Sequence, residues 1–507
     1  MIAPDPARHE RYLDTAALRT DVGGRAVRAA SVTVGAQATL FVMSVAASII
    51  LARLLTPNDY GLFALVWTLV AFVEIFKDFG LPLATVQKSE LSHEQVSTLF
   101  WMNVALGVAV ALSTLLLAPA MGALYREPRL LALCSLMAGV FVVEALGAQH
   151  EALLKRQMEF AALRVIEVGA AAVGVFVAVG LALGGAGYWA LAIQYIAAKV
   201  TKTISLWTTC RWRPDAPRRG AQVRSMIFYG GDVTGFRIMT HAGKHLDRVL
   251  LGYFHGATVV GLYTAAERWA MLTIEQVQTS LLPIAVSGFS HSRHDIGRYR
   301  DYYRKALLPL FGVILPTLTF MFVEAHNVVA LLLGSQWLEA VPLFRALLFS
   351  ALAASISQTT KWVYLAEGRT RRQLRWGLLS ASIMMISVVV GVRWGALGVA
   401  VAYSAATCAL ALPGVAYCLK ASPLHLRDFL GVVWRPALSS VGTAAVLLAV
   451  KPHLPLAGTG AEIASSLIIF GLTYPLLWAS TPSGRQSLCE MLQLAKKAVP
   501  RGRAAVR

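Results

Sequence analysis

Four basic side chains at helical spacing lie inside one largely apolar stretch of the sequence. Arg237, His241, Lys244 and Arg248 follow one another at intervals of four, three and four residues. At about 100° per residue they fall within an arc of about 60° on one face of a helix. We predict that this cationic stripe lines a water-filled cavity, where it would attract anionic groups. The alternative is that carboxylates such as Asp247 neutralise these cations between packed helices.

The next apolar stretch carries a second polar face. Thr264, Arg268, Glu275 and Thr279 recur at helical spacing, and Arg268 is expected near the middle of the membrane. The alternative pairs Arg268 with Glu275 or with Glu267 inside the helix packing. Both glutamates therefore join the candidate cavity residues.

A third charged group lies towards the end of the stretch "DYGLFALVWTLVAFVEIFKDFGL". Glu74, Lys77 and Asp78 fall within about one turn of a helix that we predict over residues 60–86. Glu74 is the carboxylate better placed to neutralise Lys77. Charges at this depth either reach the inner membrane interface or line a solvated cytoplasmic vestibule. Both interpretations remain open from the sequence.

Metal and nucleotide chemistry find little support in the sequence. His241 and His245 have the spacing of metal ligands on a helix, but Lys244 lies between them and no HExxH motif is present. The chain has five cysteines without a CxxC pair, and it has no GxxxxGK[ST] loop. We therefore predict no metal site and no cofactor.

The elements that must position these charges are membrane-spanning helices. Of the 507 residues, 57% are hydrophobic and 14% are charged. Because about 20 apolar residues cross a hydrocarbon core, the apolar stretches predict an all-α polytopic membrane protein with about fourteen transmembrane helices. The predicted spans are residues 31–55, 60–86, 96–122, 130–152, 161–184, 187–210, 225–252, 257–286, 303–326, 341–367, 374–394, 395–420, 429–449 and 460–480.

The basic residues are distributed unevenly between the two sides of the membrane. About thirty Lys and Arg lie in segments on one predicted side and about five on the other. Cytoplasmic loops collect Lys and Arg, so the richer side is cytoplasmic, and an even number of spans puts both termini there. This asymmetry explains the net charge of +19 without nucleic-acid binding.

Two short motifs occur twice in the chain. The sequence "GLFAL" from Gly61 matches "GLYTA" from Gly261, and "GAGYWALA" at 185–192 matches "GALGVAVA" at 395–402. An even number of spans separates the members of each pair, so the two halves form parallel repeats. The predicted domains are a cytoplasmic N-terminal segment (1–30), an N-lobe of six helices (31–210), a cytoplasmic connector (211–224), a C-lobe of six helices (225–420), two further helices (421–484) and a basic cytoplasmic tail (485–507).

The stretch "LARLLTPNDYGLFALVWTLVAFVEIFKDFGLPLATVQ" and the motif "GLYTAAERWAML" resemble a known family. They are similar to bacterial polysaccharide exporters of the Wzx and colanic-acid-exporter type, in the multidrug/oligosaccharidyl-lipid/polysaccharide exporter superfamily. The resemblance implies two lobes around a central cavity, alternating access, and a place in the bacterial cytoplasmic (inner) membrane. Its implied partners are a lipid-linked oligosaccharide, membrane lipid, and the polysaccharide polymerase and glycosyltransferases of the same pathway.

The resemblance also implies roles for the charged residues. The cargo would be an undecaprenyl-diphosphate-linked oligosaccharide, since Arg grips pairs of phosphate oxygens and Lys acts as a point charge. The implied substrate-binding residues are Arg237, Lys244, Arg248, Arg268 and Lys77. The implied cavity or coupling residues are Glu74, Asp78, His241, Asp247, Glu267 and Glu275.

The implied function is that of a flippase, not of an enzyme. One alternative is a multidrug or metabolite antiporter of the same superfamily, which would favour a carboxylate-lined pocket. The other is a membrane-embedded glycan polymerase, which would need a large outer loop that the predicted spans do not leave.

Overall fold

A computed structural model describes residues 22–77, 79–88, 90–218, 226–228, 231, 234, 245–291, 295–420, 422–453 and 458–498. For residues 22–31, 273, 275–291, 492 and 494–498 it describes the backbone alone. All regular elements in this part of the chain are α-helices or short 3-10 helices. By internal contacts the chain divides into two units, residues 1–261 and 262–507. The six domains proposed from the sequence stay a prediction.

The helices have the following bounds. The first unit contains α1 (Val22–Leu54), α2 (Pro57–Val73), α3 (Leu81–Gln87), α4 (His93–Tyr125), α5 (Arg129–Arg156), α6 (Phe160–Leu183), α7 (Trp189–Thr209) and the beginning of α8 (Leu246–His291). The second unit contains the rest of α8 and α9 (Ile296–Val323), α10 (Ala325–Leu332), α11 (Val341–Glu367), α12 (Thr370–Gly391), α13 (Gly395–Leu419), α14 (Leu426–Val450), α15 (Thr459–Trp478) and α16 (Pro482–Ala498). Short 3-10 helices occupy Glu74–Phe76, Ser335–Ala340, Val392–Trp394 and Lys451–His453.

Eleven stretches of the described chain are long and apolar enough to cross a membrane. One of them, Thr370–Leu419, contains both α12 and α13. Helix α7 is 21 residues long but is not among the eleven, and it carries Lys199 and Lys202. Most of the predicted seventh span (225–252) lies outside the described residues. The protein is thus a multi-pass helical membrane protein, and the count of about fourteen spans stays a prediction.

The second predicted span is not one helix. A 3-10 turn at Glu74–Phe76 follows α2, and α3 begins only at Leu81. Between them Phe79 (φ 46°) and Gly80 (φ 66°) adopt left-handed backbone conformations. Pro82 reinforces the break because it lacks the N–H that a continuous helix would use. The single helix predicted over residues 60–86 is therefore wrong, and the chain bends where the charged residues lie.

The two copies of the Gly-Leu motif contact each other where α2 crosses α8. A Cβ atom added to Gly61 would lie 1.7 Å from the carbonyl oxygen of Ala257. A Cβ atom added to Gly261 would lie 1.8 Å from the carbonyl oxygen of Pro57. The contact is reciprocal, because each motif presents its glycine to the backbone that precedes the other glycine. Only glycine fits where two backbones approach this closely.

The basic connector is packed against the first unit over residues 211–218. Trp212 is fully buried and packs against Phe100 of α4. Its indole N–H donates to Nδ1 of His93 (3.0 Å), and Trp101 Nε1 donates to the backbone oxygen of Asp215 (2.8 Å). This part of the connector is therefore an element of the fold, although its composition indicated only a link between lobes.

Candidate functional site

Lys77 lies in the bend after α2 and forms ion pairs with two segments of the chain. Its Nζ atom is 2.5 Å from Oε1 of Glu74 and 2.9 Å from Oε2 of Glu144 in α5. The first contact confirms the pairing expected from the spacing of Glu74 and Lys77. The second has no local signal in the sequence, because 67 residues separate Lys77 from Glu144. Asp78 lies outside the described residues.

Alternating charges continue along the facing sides of α5 and α7. Glu144 also pairs with Lys199 of α7. Glu151, two turns further along α5, pairs with Lys155 (2.7 Å) and with Lys202 of α7 (2.8 Å). Each of these two carboxylates therefore bridges two ammonium groups. The residues of this Lys–Glu ladder are Lys77, Glu144, Glu151, Lys155, Lys199 and Lys202.

The Lys–Glu ladder lines a cavity of about 310 Å³ within the first unit. The described wall contains four lysines and two glutamates, all of them ladder residues. Small residues of α5 in the same wall, Ala145, Gly147, Ala148 and Ala152, leave the space open. The described part of the wall is net positive, so it favours an anionic ligand over a cationic one.

Only one end of the cationic stripe is described. Arg237, His241 and Lys244 lie outside the described residues. Arg248 and Asp247 are half-buried near the start of α8, and the backbone N–H of Arg248 donates to Asp247 Oδ1 (2.9 Å). The stripe as a whole stays a prediction.

Helix α8 is interrupted at Gly256 (φ 82°, ψ 176°), between the predicted seventh and eighth spans. Beyond the interruption, Arg268 is exposed and Glu267 is half-buried. The side chain of Glu275 is not described, so both interpretations of Arg268 stay open. Among the described residues, no group of three or more His, Cys, Asp or Glu side chains is arranged to hold a metal ion.

A second buried ion cluster lies in the second unit. Glu324, 1% exposed at the junction of α9 and α10, accepts hydrogen bonds from Lys451 Nζ (2.8 and 2.9 Å) and from Ser466 Oγ (3.0 Å). Asn327 Nδ2 donates to Glu324 Oε2 (2.7 Å) and to Glu462 Oε2 (3.0 Å). These bonds tie α9 and α10 to the end of α14 and to α15. We therefore assign this cluster to packing, and the cavity in the first unit is the better candidate for a ligand.

The chain was compared with known protein families. A family model described as "Polysaccharide biosynthesis protein" matches residues 50–342, more than half of the chain. The chain belongs to this family. The matched segment contains the whole Lys–Glu ladder, both copies of the Gly-Leu motif, and Arg248 and Arg268.

Curated relatives carry related names. The chain is 25% identical over 362 residues to "Lipopolysaccharide biosynthesis protein WzxC" of Escherichia coli (strain K12), and the match covers 70% of this chain and 73% of the relative. It is 24% identical over 464 residues to "Succinoglycan biosynthesis transport protein ExoT" of Rhizobium meliloti (strain 1021), and this match covers 90% of this chain and 92% of the relative. It is 23% identical over 335 residues to "Teichuronic acid biosynthesis protein TuaB" of Bacillus subtilis (strain 168), and this match covers 64% of this chain and 68% of the relative. These matches confirm the resemblance to polysaccharide exporters.

Solved structures share the fold. The lipid II flippase MurJ in an inward closed conformation matches with a TM-score of 0.69 at 13% identity, covering 87% of this chain and 96% of that one. An inward-facing multidrug resistance MATE family transporter of the MOP superfamily matches with a TM-score of 0.59 at 14% identity, covering 76% and 94%. The all-α polytopic fold predicted from the sequence is thereby confirmed.

Proposed function

We propose that the protein is a flippase that moves an undecaprenyl-diphosphate-linked oligosaccharide from the inner to the outer leaflet of the bacterial cytoplasmic membrane. The observation that carries this proposal is the family match over residues 50–342. The names of the relatives support it, because they connect the family with lipopolysaccharide, teichuronic acid and succinoglycan, and in one case with transport. The translocation would proceed by alternating access of two repeats.

In this proposal the diphosphate of the cargo is bound by cations. Arg237, Lys244, Arg248, Arg268 and Lys77 bind it, since phosphate oxygens accept strong charge-assisted hydrogen bonds from Arg and Lys. The carboxylates Glu74, Asp78, Asp247, Glu267 and Glu275, with His241, are the proposed cavity or coupling residues. The place of Lys77 in a net-positive cavity wall supports this assignment.

The protein would act in the inner membrane with both termini in the cytoplasm. The excess of Lys and Arg in the predicted cytoplasmic segments supports this orientation. There it would take lipid-linked oligosaccharides made by glycosyltransferases and deliver them to a polymerase at the outer face. It would carry out no covalent chemistry itself.

The fold alone does not separate this function from multidrug antiport, since flippases and MATE transporters share it. The charge of the described cavity wall does distinguish a flippase from an antiporter. An antiporter for organic cations needs carboxylates that face its substrate, whereas both glutamates in the cavity wall are held by lysines. We therefore favour the flippase.

The experiment is a flipping assay in proteoliposomes that contain fluorescent undecaprenyl-diphosphate-linked sugars. The wild-type protein should move the lipid-linked sugar and leave organic cations such as ethidium in place. Arg237→Ala should slow flipping about ten- to hundredfold, because a charge-assisted hydrogen bond contributes about 1.5–3 kcal/mol. Arg237→Lys should recover only part of the rate, since the two-pronged contact is lost.

Arg298→Ala is the matched control, because Arg298 is 80% exposed and pairs with Asp295 in its own helix turn. It should flip at the wild-type rate. Export of ethidium without flipping of the lipid-linked sugar would refute the proposed function. Wild-type flipping by a normally folded Arg237→Ala variant would refute the role of the stripe.

A further inference from the structure

The Lys–Glu ladder carries more positive charge than its contacts require. Four ammonium groups face two carboxylates among the described residues of the wall, and each of these carboxylates is shared by two lysines. With Glu74, which pairs with Lys77 from outside the wall, four lysines share three carboxylates. One lysine per glutamate would already satisfy the ion pairs that join α5 to α7. The additional lysines give the wall capacity to bind an anion.

The lysines are also accessible from the cavity. Their side chains are between 22% and 48% exposed, so they are not sealed in the packing. The two carboxylates are 14% and 22% exposed, so an anion that enters the cavity can reach the lysines and compete with the glutamates for them. A diphosphate offers several charged oxygens, so it can accept hydrogen bonds from more than one ammonium group at once.

The size of the cavity limits what can enter. At about 310 Å³ it stands at the lower end of the range of small-molecule sites, about 300–1,000 Å³. This space suits a phosphate or diphosphate group and is too small for an oligosaccharide.

We infer that the cavity of the first unit binds a phosphate-bearing group through Lys155, Lys199 and Lys202, with Glu144 and Glu151 holding the ammonium groups in place until the anion arrives. This site is separate in sequence from the cationic stripe. The inference deepens the proposed function and rests on it for the source of the phosphate, the head group of the lipid-linked cargo. The shared chemistry, a phosphate that bridges lysines, holds equally for a soluble phosphate compound.

The test measures binding of inorganic pyrophosphate to the full-length protein in nanodiscs, by calorimetry. Lys202→Met should weaken binding about tenfold, since one charge-assisted hydrogen bond is lost. The variant should still fold, because Glu151 keeps its contact with Lys155. Lys305→Met is the matched control: Lys305 forms an exposed pair with Asp301 in α9, so its loss should leave binding unchanged.

Glu151→Gln should change the affinity for pyrophosphate in the opposite direction. Removing this carboxylate frees two partly exposed ammonium groups and ends its repulsion of the ligand, so pyrophosphate should bind about tenfold more tightly. A purely structural ladder predicts instead a lower unfolding temperature and no gain in affinity. Failure of the wild type to bind pyrophosphate, wild-type binding by Lys202→Met, or unchanged or weaker binding by Glu151→Gln would each overturn the inference.

A second arm identifies the source of the phosphate. Nanodiscs are prepared with and without undecaprenyl diphosphate in the lipid, and pyrophosphate is titrated into both. Loss of the Lys202-dependent binding in the loaded nanodiscs assigns the site to the lipid head group, and its persistence assigns it to soluble phosphates. The flipping assay is scored separately. A protein that binds pyrophosphate at the ladder but flips no lipid-linked sugar would refute the proposed function and leave this site in place.

Discussion

The reciprocal glycine contact between α2 and α8 makes a sharp prediction for single methyl groups. Gly261→Ala and Gly61→Ala each add one Cβ atom at the crossing of the two helices. The added atoms would lie 1.8 Å from the Pro57 carbonyl oxygen and 1.7 Å from the Ala257 carbonyl oxygen. Both obstacles are backbone atoms, which cannot rotate out of the way. The helices must therefore move apart.

The size of the effect follows from the geometry. Ordinary contacts of a Cβ atom begin near 3.4 Å, so the helices must separate by at least about 1.6 Å at Gly261 and about 1.7 Å at Gly61 to restore them. Overpacking of this kind typically costs about 1–3 kcal/mol, and a backbone obstacle puts each substitution at or above the upper limit, about 3 kcal/mol. The double substitution should cost less than the sum, because one separation relieves both clashes.

The assay combines thermal unfolding in detergent with cysteine cross-linking by a short bifunctional thiol reagent. The Oγ1 atom of Thr258 lies 3.4 Å from Oδ1 of Asn58, so cysteines at these two positions lie within reach of such a reagent. Cys408 and Cys489 are the exposed cysteines among the described residues and are replaced by serine first. Gly261→Ala should lower both the unfolding temperature and the rate of cross-linking.

The matched control is Gly169→Ala in α6, because a Cβ atom added there meets no atom within 4 Å. It should be neutral or slightly stabilising, since alanine in a helix interior is better than glycine by about 0.5–1 kcal/mol. If Gly261→Ala and Gly61→Ala unfold like Gly169→Ala and cross-link at the native rate, the close crossing is wrong.

Three further predictions concern other parts of the molecule. Trp212→Ala should lower the stability of the first unit by about 3–5 kcal/mol, because it opens a cavity under the connector, and thermal unfolding measures this loss. Lys451→Met should cost about 3–5 kcal/mol by leaving Glu324 buried without its cation, and adding Glu324→Gln should restore much of that loss in a double-mutant cycle. Cysteines placed at Glu127 and Gln222 should react with impermeant reagents from opposite faces, and labelling of both from outside would contradict the proposed topology.

Much of the helical architecture follows from the sequence because it depends on local composition. Apolar length determines whether a segment can span a membrane, and most helices of the described chain overlap the predicted spans, apart from the broken second span and α8, which runs from the seventh predicted span into the eighth. The contact between Glu74 and Lys77 was equally predictable, because residues three apart share a helix face. The sequence Gly80-Leu81-Pro82 is itself a local indication of the bend after α2. Counting the length of apolar stretches does not detect it.

The partners of the ladder could not be predicted in the same way. Lys199 and Glu144 are 55 residues apart, and nothing in either helix shows which face turns to the other. Helical periodicity gives the relative angle of residues on one helix, but the register between two helices depends on packing along their whole length. The fully buried Trp212 was missed for a related reason, since its neighbours in sequence are charged and indicate a surface.

The two interpretations left open for Lys77 can now be weighed against each other. A lysine that escaped to the membrane interface would extend away from the helices, whereas Lys77 is 22% exposed and contacts carboxylates on two segments. A lysine that only neutralised a neighbouring carboxylate would need no partner besides Glu74. Its second contact, with Glu144, joins it to the wall of a cavity in which lysines outnumber glutamates. Glu74 and Lys77 are therefore held within the first unit by their ion pairs, and the role of Lys77 in binding an anion stays a prediction.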